Sequence, residues 1–257
     1  MPLTGTLAEL GCPQQLEQWM ILSVPDPESG LPIGPIVPDV ATRRPARVSL
    51  DGRFVRLRPL DADRDLAALW QETHGPDQAQ RWQYLLEPPF ADQAAFLDHL
   101  RRKAASDDPL FFTIADRLSE RALGYATLMR IEPAHRCVEV GHVVYGAGLQ
   151  RSPGATEAQY LLMRYVFDDL RNRRYEWKCN ALNAPSRRAA VRLGFTFEGV
   201  FRQHMIVRGR SRDTAWYAIV DSDWGAIKAA FEQWLAPANF DAQGRQVHTL
   251  EALRATR

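Results

Sequence analysis

Gln150-Arg151-Ser152-Pro153-Gly154-Ala155-Thr156-Glu157-Ala158 separates a short apolar run, residues 138–145, from a longer amphipathic stretch, residues 156–170. The run has the length of a strand. The stretch repeats apolar residues at helical spacing through Ala158, Leu161, Leu162, Tyr165 and Val166. The segment therefore predicts strand, tight loop and helix. Such a junction leaves the first helical N–H groups without intrahelical acceptors and turns the positive end of the helix dipole toward the loop. A diphosphate fits that place. A second signal lies one strand further on, in Asn183-Ala184-Pro185-Ser186 and Leu193-Gly194-Phe195. Pro185 suits a first helical turn and Gly194 the left-handed residue that closes a helix.

Outward from this centre the periodicities alternate. Arg53-Phe54-Val55-Arg56-Leu57-Arg58 switches polar and apolar residues as a half-buried strand does. Asp61 offers an N-cap for a helix carrying Leu66 and Leu69, and residues 90–103 predict a second helix with Phe96, Leu97 and Leu100 on one face. Residues 110–115, 122–131 and 138–145 read as successive strands. After the helix at 156–170 come a strand at 175–179, a helix at 186–193, strands at 197–208 and 212–220, and a last helix at 224–235. Trp224, Phe231 and Trp234 give that helix an apolar face that must bury in this domain or against a second subunit. The order implies an α/β (α+β) class: a mixed, mostly antiparallel central sheet with helices on both faces.

Bulk properties narrow the function. The chain has 257 residues, 46% of them hydrophobic, and a formal net charge of +1, which gives no dominant positive field for a nucleic-acid partner. Cys12, Cys137 and Cys179 form no C-x-x-C pair, so neither a zinc knuckle nor a disulfide framework is expected, and no metal. No basic segment followed by an apolar one marks a signal peptide, and no stretch approaches the ~18 apolar residues of a membrane span. A cytoplasmic protein with no membrane partner is the expectation. Residues 1–50 form a proline-rich extension expected to pack on the domain, with a short helix around residues 13–20. Residues 51–222 form the domain proper, and residues 223–257 a C-terminal helix and tail.

Two nucleotide motifs are excluded by inspection. There is no G-x-x-x-x-G-K-[ST], and the G-x-G-x-x-G that would begin at Gly146 and Gly148 meets Arg151 where its last glycine belongs. Gln150 to Ala155 instead resembles the phosphate loop of the GNAT acyltransferase superfamily, Gln/Arg-x-x-Gly-x-Gly/Ala. The match holds at the first and last positions. Pro153 replaces the middle glycine and removes one N–H donor, and Gly154 beside it supplies flexibility. Asn183-x-x-Ser186, Leu193-Gly194-Phe195 and Glu198-Gly199 are similar to the next block of the branch that acetylates ribosomal-protein N-termini, the RimJ/RimL type, and Arg56-Leu57-Arg58-Pro59-Leu60 to its opening strand. The resemblance spans about residues 53–221.

The resemblance implies an N-acetyltransferase that moves an acetyl group from acetyl-CoA to a primary amine, a protein N-terminus or a small amine, by direct attack in a ternary complex. It implies a splayed strand pair that holds the acyl-CoA, with CoA-contacting residues His142, Val143, Val144, Gln150, Arg151, Ser152, Pro153, Gly154, Ala155, Thr156, Asn183 and Ser186. Such a reaction needs a neutral, positioned amine, a donor for the developing oxyanion and a proton for the departing thiolate. By analogy Ser186 is the candidate acid. Glu139 is the candidate base, and His142 a further catalytic candidate. Glu139 and His142 are three apart and face opposite ways on a regular strand unless a bulge intervenes, and Gly146 and Gly148 are expected to permit a bulge and bend at the strand's end. The glutamate that some relatives carry after Arg-Gln is replaced, since His204 and Met205 follow Arg202-Gln203.

Each residue also has a plainer role open to it. Asn183 and Ser186 are ordinary helix-capping types. Glu139 is as well suited to an ion pair at a sheet edge. Arg187, Arg188 and Arg192, with Arg171, Arg173 and Arg174, would draw the adenosine 3′-phosphate or form a solvated basic face. Trp70, Trp82, Tyr84, Phe90 and Phe96 would wall an acceptor slot or fill a core. A non-catalytic acyl-CoA sensor or scaffold is the rival function, and a homodimer is left open.

Overall fold

The computed structural model describes residues 23–38 and 42–255. The helix expected near residues 13–20 lies outside them, as does Cys12. The chain divides into two compact units after Val40. In the first, β1 (Val24–Pro25) pairs antiparallel with β2 (Pro32–Ile33). Asp26 makes the turn, accepting the Ser29 N–H at 2.7 Å and the Ser29 hydroxyl at 2.8 Å, the usual way an aspartate imitates a backbone turn.

The second unit carries one eight-stranded sheet. β3 (Leu50–Asp51) and β4 (Val55–Pro59) are followed by α1 (Ala62–Thr73), α2 (Gln78–Trp82) and α3 (Gln93–Ala105). β5 (Leu110–Asp116), β6 (Ala122–Glu132) and β7 (Cys137–Tyr145) form an antiparallel meander. Then come α4 (Pro153–Arg164) with a π-helical turn at Tyr165–Asp169, β8 (Arg174–Asn180), α5 (Ala184–Leu193), β9 (Thr196–Val207), β10 (Arg210–Val220), α6 (Asp221–Leu235) and α7 (Leu250–Ala255). The strand order is β3-β4-β5-β6-β7-β8-β10-β9, and every pairing is antiparallel except β7 with β8.

Both faces of the sheet are covered, so alternate residues of a strand enter different cores. Phe112 and Ile114 of β5 pack with α4, α5 and α6, whereas Phe111 packs with Leu69 of α1, Trp82 of α2 and Phe96 and Leu100 of α3. β5 shows no alternation of buried and solvated positions and is buried along almost its whole length, as double cover requires. The apolar face of α6 is satisfied within this unit. The Tyr160 ring lies 5.5 Å from Phe231 and the Phe167 ring 5.1 Å from Trp224, and Phe231 is fully buried.

α4 starts at Pro153, three residues before its expected start, and is buried nearly all round. Its Glu157 carboxylate accepts the N–H groups of Arg53, Phe54 and Val55 at 2.7, 2.6 and 2.8 Å. That clamp fixes the start of β4 against α4. It requires Gly52, where a Cβ would stand 2.4 Å from the Glu157 carboxyl carbon.

Candidate active site

β7 and β8 pair only from Cys137↔Arg174 to Val140↔Trp177. Past Val140 they diverge, so residues 141–145 of β7 and 178–180 of β8 have no ladder partner across the gap. On its other side β7 stays attached to β6, but between Gly141 and Val144 it carries one residue more than β6 has between Thr127 and Tyr125. This is a β-bulge, and His142 within it adopts φ +44. The expected bulge at Gly146 and Gly148 is thus displaced onto a histidine. Those glycines serve contact instead. Gly146 approaches so closely that a Cβ would meet Glu72 Cβ at 2.4 Å and Leu123 O at 2.5 Å, and the Gly148 N–H donates to Glu72 Oε2 at 2.7 Å. α1 thereby holds the chain as it leaves β7.

The loop after β7 is built from local rules. Ser152 is the N-cap of α4 and its hydroxyl accepts the Ala155 N–H at 3.3 Å. Pro153 then occupies the first turn, where a missing N–H costs no intrahelical hydrogen bond. Gly154 is not left-handed. Its role is close approach, since a Cβ there would lie 2.7 Å from Val55 Cγ1. The left-handed residue of the loop is Arg151, φ +59. Among the described residues no acceptor takes the N–H of Arg151 or of Gly154. Gln150 donates from Nε2 to Tyr145 O at 3.1 Å, and the Tyr145 hydroxyl donates to Ala155 O at 3.2 Å, so the loop is braced from the strand it follows. Thr156 accepts a hydrogen bond from Arg192 Nη1 at 2.9 Å, which brings one guanidinium of the basic set to the loop. Arg187 donates to the Tyr217 hydroxyl at 3.2 Å, and Arg174 pairs with Glu176 and Glu198, so the six arginines do not form one patch.

α5 delivers its first turn to the gap. Asn183 caps it, accepting the Ser186 N–H at 3.1 Å, and Ser186 Oγ accepts from Trp177 Nε1 at 3.0 Å. The serine proton is left for Cys179 Sγ or for a ligand. Burial raises the Cys179 pKa and the Ser186 hydroxyl lowers it. Both residues line a cleft with Glu139, His142, Val143, Lys178, His204 and Arg212, and one wall is the Tyr84–Leu86 loop that follows α2. The bulge brings Glu139 and His142 to that one cleft. Val144 is turned away into the core beside α1 and α3, and Gln150 to Thr156 lie outside the cleft, at the far end of the gap. Of the aromatic group Tyr84 lines the cleft. Trp82 and Phe96 are core, and Trp70 and Phe90 pack on it, Trp70 stacked on His74 at 4.0 Å. Arg212, Lys178 and Thr127, whose hydroxyl donates to Gly141 O at 3.0 Å, were not marked by any sequence pattern.

Electrostatics separate the candidates. Glu139 is buried with Lys178 Nζ at 2.9 Å and Arg130 Nε at 3.3 Å. Burial raises its pKa above the usual carboxylate value, and the two cations oppose that rise. His142 goes the other way, because burial first and Lys103 second depress its pKa to about 4. Its ring is neutral at pH 7 and a poor proton acceptor there. Burial likewise depresses His74 and His99 to about 4, assisted by Arg81 and Lys103 respectively. Each of the three histidines has a folded pKa below its unfolded value near 6.5. Their contribution to stability is therefore present above pH 6.5 and is lost as the pH falls through about 4. The unfolding temperature should drop across that window. His99→Leu should make the fall shallower, releasing about one proton from the uptake that accompanies unfolding. An identical pH slope in that variant would contradict the assignment.

A family profile described as Acetyltransferase (GNAT) domain matches residues 55–196. The crystal structure of a GCN5-related N-acetyltransferase from Brucella melitensis is 47% identical, covering 85% of this chain and 100% of that one, with a TM-score of 0.83. A protein of the GNAT acetyltransferase family from Chromobacterium violaceum is 36% identical over 76% of this chain and 98% of its own, TM-score 0.71. A Salmonella typhimurium acetyl transferase that modifies the N-terminal serine of ribosomal protein L7/L12 shares the fold at 22% identity and TM-score 0.57, covering 66% of this chain and 96% of its own. No protein among the curated ones matches. Among the described residues no group of His, Cys, Asp or Glu is arranged to hold a metal, and no helix is long and apolar enough to cross a membrane.

Proposed function

Because this chain belongs to the GNAT acetyltransferase family, an acetyl-CoA-dependent group of enzymes, we propose that it acetylates a primary amine by direct attack within a ternary complex at the gap between β7 and β8. The observation that carries this reading is the end of pairing at Val140, which opens a slot between two strands of one sheet. The residues present suit the cosubstrate. The free N–H groups of Arg151 and Gly154 and the start of α4 would receive the diphosphate, with Arg192 close by. The unpaired edge of β7 at residues 141–145 would receive the pantetheine amides. Acetyl-CoA supplies the activated acyl group. The chain's own part is orientation, exclusion of water and proton handling. Ser186, at the first turn of α5, gives a proton to the departing sulfur. Glu139, with its pKa raised by burial, suits removal of the amine proton better than His142 does. His142 sets the strand's bend.

The test joins calorimetry with acetyl-CoA to thiol release over a panel of amines. Heat of binding and acceptor-dependent thiol release are expected. Binding without release for any amine would leave a sensor of acyl-CoA in place of an enzyme. For the cosubstrate site itself, Gly154→Val should abolish binding, because the loop cannot approach Val55 once a side chain intervenes.

A further inference from the structure

Charged residues on the cleft face of the sheet form an alternating ladder across β9, β8, β7 and β6. Arg174 pairs with Glu198 and, at 2.7 Å, with Glu176; Lys178 joins Glu176 at 2.7 Å and Glu139 at 2.9 Å; Arg130 closes the ladder on Glu139 at 3.3 Å. Three cations meet three anions, so the ladder is neutral. Lys178 is further occupied by the Trp216 ring, 3.7 Å below its ammonium.

Arg212 stands beside this ladder as a fourth cation; Glu139 attracts it through space, but no ladder carboxylate is within ion-pair distance of it. It lies on β10, two and four residues from Thr214 and Trp216, and lines the cleft with Glu139, Lys178 and Ser186. Among the described residues its guanidinium has no hydrogen bond, ion pair or ring contact, and its Nε is buried without an acceptor. Burial presses its pKa below the usual guanidinium value. A half-buried guanidinium without a partner costs more than an ordinary unmade hydrogen bond. Its planar fork is the group best matched to a carboxylate. The cosubstrate's phosphates have their own place at the start of α4, and no residue of that loop lines this cleft.

We propose that Arg212 binds a carboxylate carried by the acceptor, so that the enzyme selects amines that also bear an acid group. The proposal rests on the acyl-transfer reading above. The amine would lie between Ser186 and Glu139 and the acid group against Arg212. The Tyr84–Leu86 loop and the β9–β10 hairpin would bound the acceptor; these two walls are joined where Arg208 Nη2 donates to Gln83 O.

Two matched pairs test it and separate the source of the acid group. For small molecules the pair is aspartic acid α-amide and asparagine amide. For peptides it is Ser-Asp-Ala-Ala amide and Ser-Asn-Ala-Ala amide. In at least one pair the carboxylate member should have a kcat/KM about 10-fold higher, residing in KM, as loss of a charge-assisted hydrogen bond would give. In Arg212→Gln that ratio should collapse toward one. Arg212→Lys, which keeps the charge and loses the fork, should retain an intermediate preference and decides the matter if the glutamine variant does not fold. No carboxylate preference in either pair, or a preference that survives in Arg212→Gln, overturns the proposal. If no amine turns over, the acyl-transfer reading fails separately. Calorimetry of the CoA-loaded protein with N-acetylaspartic acid α-amide and N-acetylasparagine amide then decides. Carboxylate-dependent heat that disappears in Arg212→Gln sustains the site, and equal or absent heats overturn it.

Discussion

Ser186→Ala is expected to lower kcat by ~100-fold or more, the low end of what a positioned proton donor contributes, with little change in the affinity for acetyl-CoA. The hydroxyl sits on the first turn of α5, held by the Asn183 cap and by the indole of Trp177. Its removal leaves Trp177 Nε1 without an acceptor, a cost of about 1 to 3 kcal/mol. The variant should therefore fold but melt lower. Two further measurements separate a chemical role from this structural one. Ser186→Thr keeps a hydroxyl and should recover most of the rate. An acyl-donor thioester with a better leaving thiol should lose less from Ser186→Ala than acetyl-CoA does, because its sulfur needs the proton less. Equal losses with both thioesters, or an undiminished kcat, would remove Ser186 from the proton path and leave it a cap.

The second large effect concerns stability. Asp65 is 1% exposed and receives four donors from three elements. Arg58 of β4 gives two hydrogen bonds, at 2.9 and 2.6 Å, Thr113 of β5 gives one at 2.5 Å, and the Asp61 N–H one at 3.2 Å. Asp65→Ala strands the buried Arg58 charge and should cost ~3 to 5 kcal/mol. For a domain of this size that lowers the unfolding temperature by roughly 6 to 20 °C. Replacing both members with apolar residues, Arg58→Met with Asp65→Leu, removes the stranded charge and should recover most of the loss. A single substitution costing under ~1 kcal/mol, or a double one as damaging as the single, would show that the pair is screened by water.

This pair marks where sequence pattern reaches its limit. Arg56 and Arg58 both occupy the polar positions of an alternating strand, and alternation alone places both toward solvent. Arg56 does lie near the surface, paired with Asp51 at 2.6 Å and Glu120 at 3.0 Å. Arg58 is buried because α1 crosses that part of the sheet. The same cause buries Glu157 on α4. A helical wheel assigns it to the flank of the apolar stripe, but the sheet on one side and α6 on the other leave it no water. Its charge is met by three backbone N–H groups from β4.

The candidate site divides in the same way. Ser152, Pro153, Asn183 and Gly194 stand in the structure where local chemistry puts them. An N-cap, a proline in a first turn and a left-handed glycine each depend on neighbours within about four residues. The start of α5 was legible to within two residues from Pro185, whereas the start of α4 was not, because Ser152 and Pro153 read as loop residues and the helix was expected only from Thr156. The succession of elements along the chain was legible too, because apolar runs and turn residues follow one another; the order in the sheet, with β10 between β8 and β9, was not.

The sequence by itself determined most of the long strands and helices, though not β3, α2 or α7, and that two helix N-termini follow two strands. Those preferences are set by short-range sterics and hydrogen bonding. Only the tertiary structure decided that β7 and β8 part after Val140, that the bulge falls on His142, and that Arg212 is left without an ion pair or a hydrogen bond among the described residues. Each of these depends on groups brought together from distant parts of the chain. Burial there, by removing water, fixes which charges are paired and which remain for a ligand.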